Sequence, residues 1–195
     1  MSRLRLWLVT CSLGLLVACS DQAGFLGSDI SGGNIGQEWT LTDHDGKPAS
    51  IDRFNDKATL VFFGFTQCPD VCPASLSEVH NALSQLGEQA KDVQVLMVTV
   101  DPERDSPEVI RAYLDAFSDG LPTPFLGLTG SDEDIRQTAQ AFRAYYAKVP
   151  TPDGSYTMDH SASYYLFDPE GNARVLVSNQ AGPDALAHDI KLLLP

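Results

Sequence analysis

Leu60-Val61-Phe62-Phe63-Gly64-Phe65-Thr66-Gln67-Cys68-Pro69-Asp70-Val71-Cys72-Pro73 is the stretch that decides the fold. Its first half, Thr59 to Phe65, is a continuous apolar run of strand length, the pattern of a central strand covered on both faces. It stops at two cysteines, each followed by a proline, and beyond them Leu76, Val79, Leu83 and Leu86 recur at helical spacing up to Gly87. A residue before proline is biased out of the α region. The reading therefore predicts Pro73 as the first helical residue, Cys72 as the cap and Cys68 on the loop. Unpaired N–H groups at a helix start favour anions, so a thiolate at Cys72 is expected to be stabilised.

Working outward, Val93 to Val100 reads as a second buried strand, with Met97 in the core. Ser106-Pro107-Glu108 is a helix start, followed by an apolar face of Ile110, Tyr113, Leu114 and Phe117. Pro124 to Leu128 gives a short strand. Ser131-Asp132-Glu133-Asp134 opens a helix through Phe142, its acids complementing the helix dipole. Thr151 to Gly154 reads as loop. Ala162 to Phe167 and Ala173 to Val177 form a hairpin across Asp168-Pro169-Glu170-Gly171-Asn172, and Pro183 to Leu194 closes the chain as a helix. Ahead of the central strand, Glu38 to Thr42 alternates and Asp45-Gly46 is a turn, which predicts an amino-terminal hairpin with Ile51 and Phe54 packing back. His44 in that turn reads as a solvated residue. This order, with helices expected on both faces of a mixed central sheet, is α/β and fits a thioredoxin-like fold with an amino-terminal β-hairpin extension.

The chain has 195 residues, enough for one domain with a substantial core, and 43% of them are hydrophobic. Arg3 and Arg5 followed by apolar Leu6 to Val17 fit a secretory signal that is too short for an ordinary membrane span. Its end, Leu16-Val17-Ala18-Cys19-Ser20, resembles a bacterial lipobox, in which the cysteine carries the lipid. We therefore read residues 1–18 as a lipoprotein signal peptide and residues 19–36 as a lipidated Cys19 with a flexible tether. Residues 37–195 are the folded domain, exported to the cell envelope and anchored to a membrane by lipid. Processing leaves Cys68 and Cys72 as the free thiols, because Cys11 departs and Cys19 becomes a thioether. Removing residues 1–18 also takes the net charge from −13 to −15. Such an acidic surface disfavours nucleic acid and is more compatible with a cationic partner.

A thiol pair at a strand-to-helix turn admits a structural disulfide, a redox pair or a metal site. A closed zinc site would be one ligand short. A peroxidase cysteine would want a hydroxyl and a cation, for which Thr66 and Arg104 are the candidates. Asp159-His160-Ser161 immediately precedes the strand starting at Ala162, and in a thioredoxin-like sheet that approach lies across from the reactive loop. His160 is thus the histidine with a topological reason to meet the thiols. His80 and His188 read as helix-surface residues. Two thiolates and an imidazole form a soft donor set suited to copper, with Asp159 and Met158 as candidate additions. A methionine-rich copper site is excluded, since Met97 and Met158 are the methionines left after processing.

With these residues in view, the sequence closely resembles the Sco (SenC) family of copper chaperones. The matching blocks are Phe62 to Pro73, Val100-Asp101-Pro102-Glu103-Arg104-Asp105, Asp159-His160-Ser161 and Tyr165 to Gly171, with further similarity from Gly27 to Gly32 and at Leu41 to Asp43. The resemblance implies Cys68, Cys72 and His160 as ligands of Cu(I) or Cu(II). It also implies a role in assembling the dinuclear copper centre of cytochrome c oxidase subunit II, or of a similar copper acceptor, supplied by a copper donor. In an alternative implied role Cys68 and Cys72 are a catalytic redox pair. The protein is then a thiol-disulfide oxidoreductase, served by a thiol reductant, that reduces the acceptor's cysteines or acts in redox signalling.

Overall fold

The computed structural model describes residues 24–195. The expected signal peptide, the expected lipidation site Cys19 and the first residues of the expected tether lie outside the described residues. The strand at Ala58–Gly64 (β4) is central, as its uninterrupted apolar sequence requires: all seven of its residues are buried. It pairs in parallel with Val93–Thr99 (β5), which pairs in parallel with Phe125–Thr129 (β6). On its other side it pairs antiparallel with Ser163–Phe167 (β9), and β9 pairs antiparallel with Ala173–Ser178 (β10). The sheet is completed by Ser28–Asp29 (β1) beside β10, and by the hairpin of Leu41–Asp43 (β2) and Pro48–Ala49 (β3) beside β6. This is the mixed sheet of a thioredoxin-like fold with the expected amino-terminal hairpin.

Successive side chains of a strand point to opposite faces, and β4 divides its residues accordingly. Leu60 and Phe62, with Val95 and Met97, pack against three helices: Val71–Leu86 (α1), Pro107–Ser118 (α2) and Pro183–Lys191 (α4). Val61, Phe63 and Phe65 pack on the other face against Asp132–Phe142 (α3), with Trp39 and the short 3-10 turn carrying Ile51 and Phe54. Phe142 anchors that layer, meeting Phe63 at 5.3 Å and Tyr165 at 5.2 Å between ring centroids, both edge-on. Ser106 and Ser131 cap α2 and α3 through their side chains, as their position before helical patterns dictates.

Three expectations need correction, and one needs an addition. Residues 24–36, read from their Gly, Ser and Asp content as tether, are tied down. The backbone N–H groups of Leu26 and Gly27 donate to the buried Asp189 carboxylate at 2.7 and 2.8 Å, and β1 adds to the sheet edge. His44 is buried and not solvated, because β2 pairs with β6 and sets the imidazole against Gly127. Thr151 to Gly154 is loop as expected, but it is the tip of a hairpin absent from the sequence reading, Tyr146–Pro150 (β7) and Tyr156–His160 (β8), a separate two-stranded sheet in which Tyr146 is opposite His160. Helix α1 begins at Val71, two residues earlier than expected.

Candidate metal centre

Cys68 lies on the loop leaving β4, and Cys72 lies in the first turn of α1 and is 1% exposed. Pro73 does not delay the helix, because N–H groups of the first turn have no intrahelical partner to lose. The turn is closed by other bonds. The Cys72 N–H donates to Cys68 Sγ at 3.3 Å, and the Ala74 N–H donates to the Asp70 carbonyl at 3.2 Å. The expected stabilisation of a Cys72 thiolate is not found. Burial pushes the Cys72 thiol well above its ordinary range, the proximity of Cys68 adds to this, and the hydrogen bond from the Phe65 backbone only partly offsets it. Both thiols are free.

Gly64 makes this approach possible. A Cβ at that position would stand 3.1 Å from Cys72 Sγ, tighter than ordinary contact. Directly after it, Phe65 turns its ring edge to the His160 imidazole, 5.9 Å between centroids.

His160 is the last residue of β8, and the structure brings it to the thiols. Its Nε2 is 3.5 Å from Cys72 Sγ. Its Nδ1 is 3.0 Å from the Ser161 carbonyl, which can only accept, so Nδ1 carries the proton and Nε2 presents a lone pair to the sulfur. The donor atoms of Cys68, Cys72 and His160 all lie within 4.8 Å of one another. Metal bonds of about 2.1 Å to nitrogen and 2.3 Å to sulfur, at trigonal or tetrahedral angles, would separate N and S by about 3.6–3.8 Å. The observed S–N distance is close to that span. The chemistry of the set also fits a soft ion such as copper: two sulfurs, one imidazole and no carboxylate among the three. These three form the His, Cys, Asp and Glu cluster able to hold a metal among the described residues. Cys68 and His160 line an open pocket of about 220 Å³ together with Pro69, Asp70, Met158 and Asp159, whereas Cys72 is buried and does not line it. Met158 is buried in the core, whereas Asp159 is exposed at the rim.

The other candidates are elsewhere. His80 Nδ1 meets the Phe117 carbonyl at 2.9 Å and His188 Nε2 the Gly24 carbonyl at 3.2 Å. The Thr66 hydroxyl donates to Asp105 at 2.6 Å, and Arg104 engages Asp101 and Tyr156, so the hydroxyl and cation of a peroxidase site are committed away from the thiols. Sequence reasoning missed the part played by Gly64 and Tyr156. The glycine breaking an apolar run next to the cysteines was the available signal for the first.

The fold and site together define a class: a thioredoxin-like domain whose Cys-x3-Cys turn is joined by a distant histidine into a three-donor cluster able to hold a metal. Within that class the match is specific, since the SCO1/SenC family model covers residues 28–194. The chain belongs to the SCO1/SenC family. It is 36% identical over 139 residues to a SCO2-like protein of Rickettsia prowazekii, a match covering 70% of this chain and 66% of that protein. The structure of ScoI from Bradyrhizobium japonicum with copper bound is similar at a TM-score of 0.74 and 40% identity, covering 82% of this chain and 99% of that one. A SCO1/SenC family lipoprotein of Bacillus anthracis is similar at a TM-score of 0.71 and 27% identity, covering 86% of this chain and 98% of that one. Among the described residues, no helix is long and apolar enough to cross a membrane.

Proposed function

We propose that this protein is a copper chaperone, lipid-anchored through Cys19 in the bacterial cell envelope. It binds Cu(I) or Cu(II) on Cys68, Cys72 and His160 and assists assembly of the dinuclear copper centre of cytochrome c oxidase subunit II. The observation that carries the reading is the convergence of the three soft donors within 4.8 Å, with Cys68 and His160 lining a pocket open to solvent. An open site suits cargo. The acceptor's cysteines can reach the metal and replace the thiolates one bond at a time, with the half-exposed Cys68 the accessible sulfur. Copper bound to the ScoI structures from Bradyrhizobium japonicum and Arabidopsis thaliana supports the choice of metal. The lipobox at residues 16–20 supports the anchor.

The test is a copper titration of the reduced protein, wild type against His160→Ala, followed by the thiolate-to-Cu(II) charge-transfer band. Wild type is expected to bind one equivalent with that band. The variant is expected to lose the band or shift it strongly, with much weaker binding. Unchanged affinity in the variant would refute the ligand assignment.

A second reading rests on the free state and closeness of the two sulfurs. Cys68 as thiolate would attack an acceptor disulfide, releasing one acceptor thiol, and Cys72 would then resolve the mixed disulfide. The acceptor leaves with two thiols, Cys68–Cys72 is left oxidised, and a thiol reductant is needed to restore it. This reading uses the thiols without the imidazole. The His160→Ala variant therefore separates the two: it retains disulfide reduction under the second and loses copper transfer under the first.

A further inference from the structure

The three donors come from parts of the molecule that share no ladder of backbone hydrogen bonds. The cysteines follow β4 in the main sheet, whereas β8 pairs with β7 in a sheet of its own. A segment that contributes no donor joins them, Asp101 to Asp105, between β5 and α2. Its end grips the thiol side. The Asp105 carboxylate, 1% exposed, accepts from the Thr66 N–H at 3.1 Å, the Thr66 hydroxyl at 2.6 Å and the Thr99 hydroxyl at 2.6 Å. Its start grips the histidine side. Arg104 Nε donates to one oxygen of Asp101, and Nη1 donates to the Tyr156 carbonyl at 3.0 Å. The Tyr156 hydroxyl returns a bond to the other Asp101 oxygen at 3.0 Å. The guanidinium lies 3.8 Å from the centre of the Tyr156 ring and 5.9 Å from that of Phe65, the ring that abuts His160.

On this segment it is Arg104 whose guanidinium bonds the first residue of β8 and also faces the Phe65 ring that meets the His160 imidazole edge-on. Its planar fork can satisfy Asp101 and the Tyr156 carbonyl at once while its face stacks on a ring, which a lysine cannot do. We propose that Arg104 is a positioning residue for copper: it fixes the β7–β8 hairpin, and with it His160 Nε2, at metal-binding distance from Cys72. The inference rests on Cys68, Cys72 and His160 being the ligands. Groups that orient metal ligands alter affinity by about 10–100-fold when removed, and that is the scale expected here.

The experiment is a double-mutant cycle on the full chain in detergent with the thiols reduced, reading Cu(I) affinity by competition with a chelator and Cu(II) geometry by electron paramagnetic resonance. Arg104→Met is expected to weaken Cu(I) binding about tenfold or more when His160 is present, and less than about twofold in the His160→Ala background. Its Cu(II) spectrum should move toward that of His160→Ala. Arg104→Lys should stay well below wild type. Equal loss in both backgrounds, no loss with His160 present, or full rescue by lysine would overturn the proposal. Should Arg104→Met fail to fold, Tyr156→Phe enters the same cycle, with a smaller loss of the same pattern expected and the same outcomes overturning it. Wild-type affinity in His160→Ala alone would refute the ligand assignment and carry this inference with it, a result distinct from equal losses in the two backgrounds.

Discussion

Two hairpins of this protein each hold a histidine, and the two imidazoles are wired in opposite senses. In the β2–β3 hairpin His44 is 7% exposed, and its Nδ1 accepts the Gly127 N–H at 3.2 Å, so the ring proton is on Nε2 and the lone pair is spent. In the β7–β8 hairpin His160 is half-buried, and its Nδ1 faces a carbonyl, so the lone pair is on Nε2 and faces Cys72. A backbone group chooses the tautomer in both. The Gly127 N–H spends the lone pair of His44, and the Ser161 C=O leaves that of His160 free to face Cys72.

The strongest way to break this contrast is to remove each ring. His44→Ala leaves the buried Gly127 N–H without an acceptor and is expected to cost about 1–3 kcal/mol of stability while changing copper affinity less than about twofold. His160→Ala should do the reverse, lowering copper affinity by more than about a hundredfold and stability by about 1 kcal/mol or less. Denaturant unfolding and chelator competition on the two variants measure both. A loss of copper in His44→Ala, or a large loss of stability in His160→Ala, would erase the distinction.

The next effect sharpens why His160 has a sulfur to face. Gly64→Ala places a methyl 3.1 Å from Cys72 Sγ, with the Phe62 ring at 3.4 Å and Met97 Sδ at 3.7 Å beside it, so that the Cys72 sulfur is the nearest group that must shift. Overpacking of this kind costs about 1–3 kcal/mol. It should also displace the sulfur and weaken copper binding, whereas a strand glycine that merely added flexibility would give a stabilised alanine variant. Unfolding and copper titration of the same sample decide between them.

The thiol side of the site was legible in the sequence because its signals are local: an apolar run of strand length, then cysteines, then helical periodicity. The helix start was misplaced by two residues because proline bias was given more weight than the hydrogen bonds that close the turn, among them one to Cys68 Sγ that no propensity contains. The histidine side was legible as a position but not as a structure. Strands β7 and β8 are exposed or half-buried throughout except for the buried Met158, so they show neither alternation nor an apolar run. Their bonds to the Asp101–Asp105 segment run from Tyr156 to Arg104, Asp101 and Glu103 and from Lys148 to Glu103, between residues 45 to 55 positions apart. His44 was misread for the same reason: its burial comes from β6, 83 residues away at Gly127.

The smallest effect concerns pH and distinguishes the hairpins once more. Burial, then the charge of Arg111, holds the His44 imidazole below its ordinary pKa, and Asp45, Asp43 and Asp115 only partly counter this. The unfolded chain takes up the proton near pH 6.5 and the folded one resists it. Below that pH the unfolded state binds more protons, so stability falls as pH drops through about 6.5 toward the folded-state pKa. The neighbouring Asp43 acts in another window. Burial would raise its pKa, but the Lys47 N–H, Arg53 and the Asp45 N–H outweigh it and hold the carboxyl below its ordinary range. Its contribution therefore fades only as pH falls below about 3.9. His44→Gln keeps an acceptor for Gly127 and cannot take a proton. Between pH 7.5 and 5 the stability gap between wild type and His44→Gln should shift steadily against wild type in urea unfolding. Parallel pH profiles would mean that the ring accepts its proton without giving up Gly127, and that the N–H does not fix the tautomer.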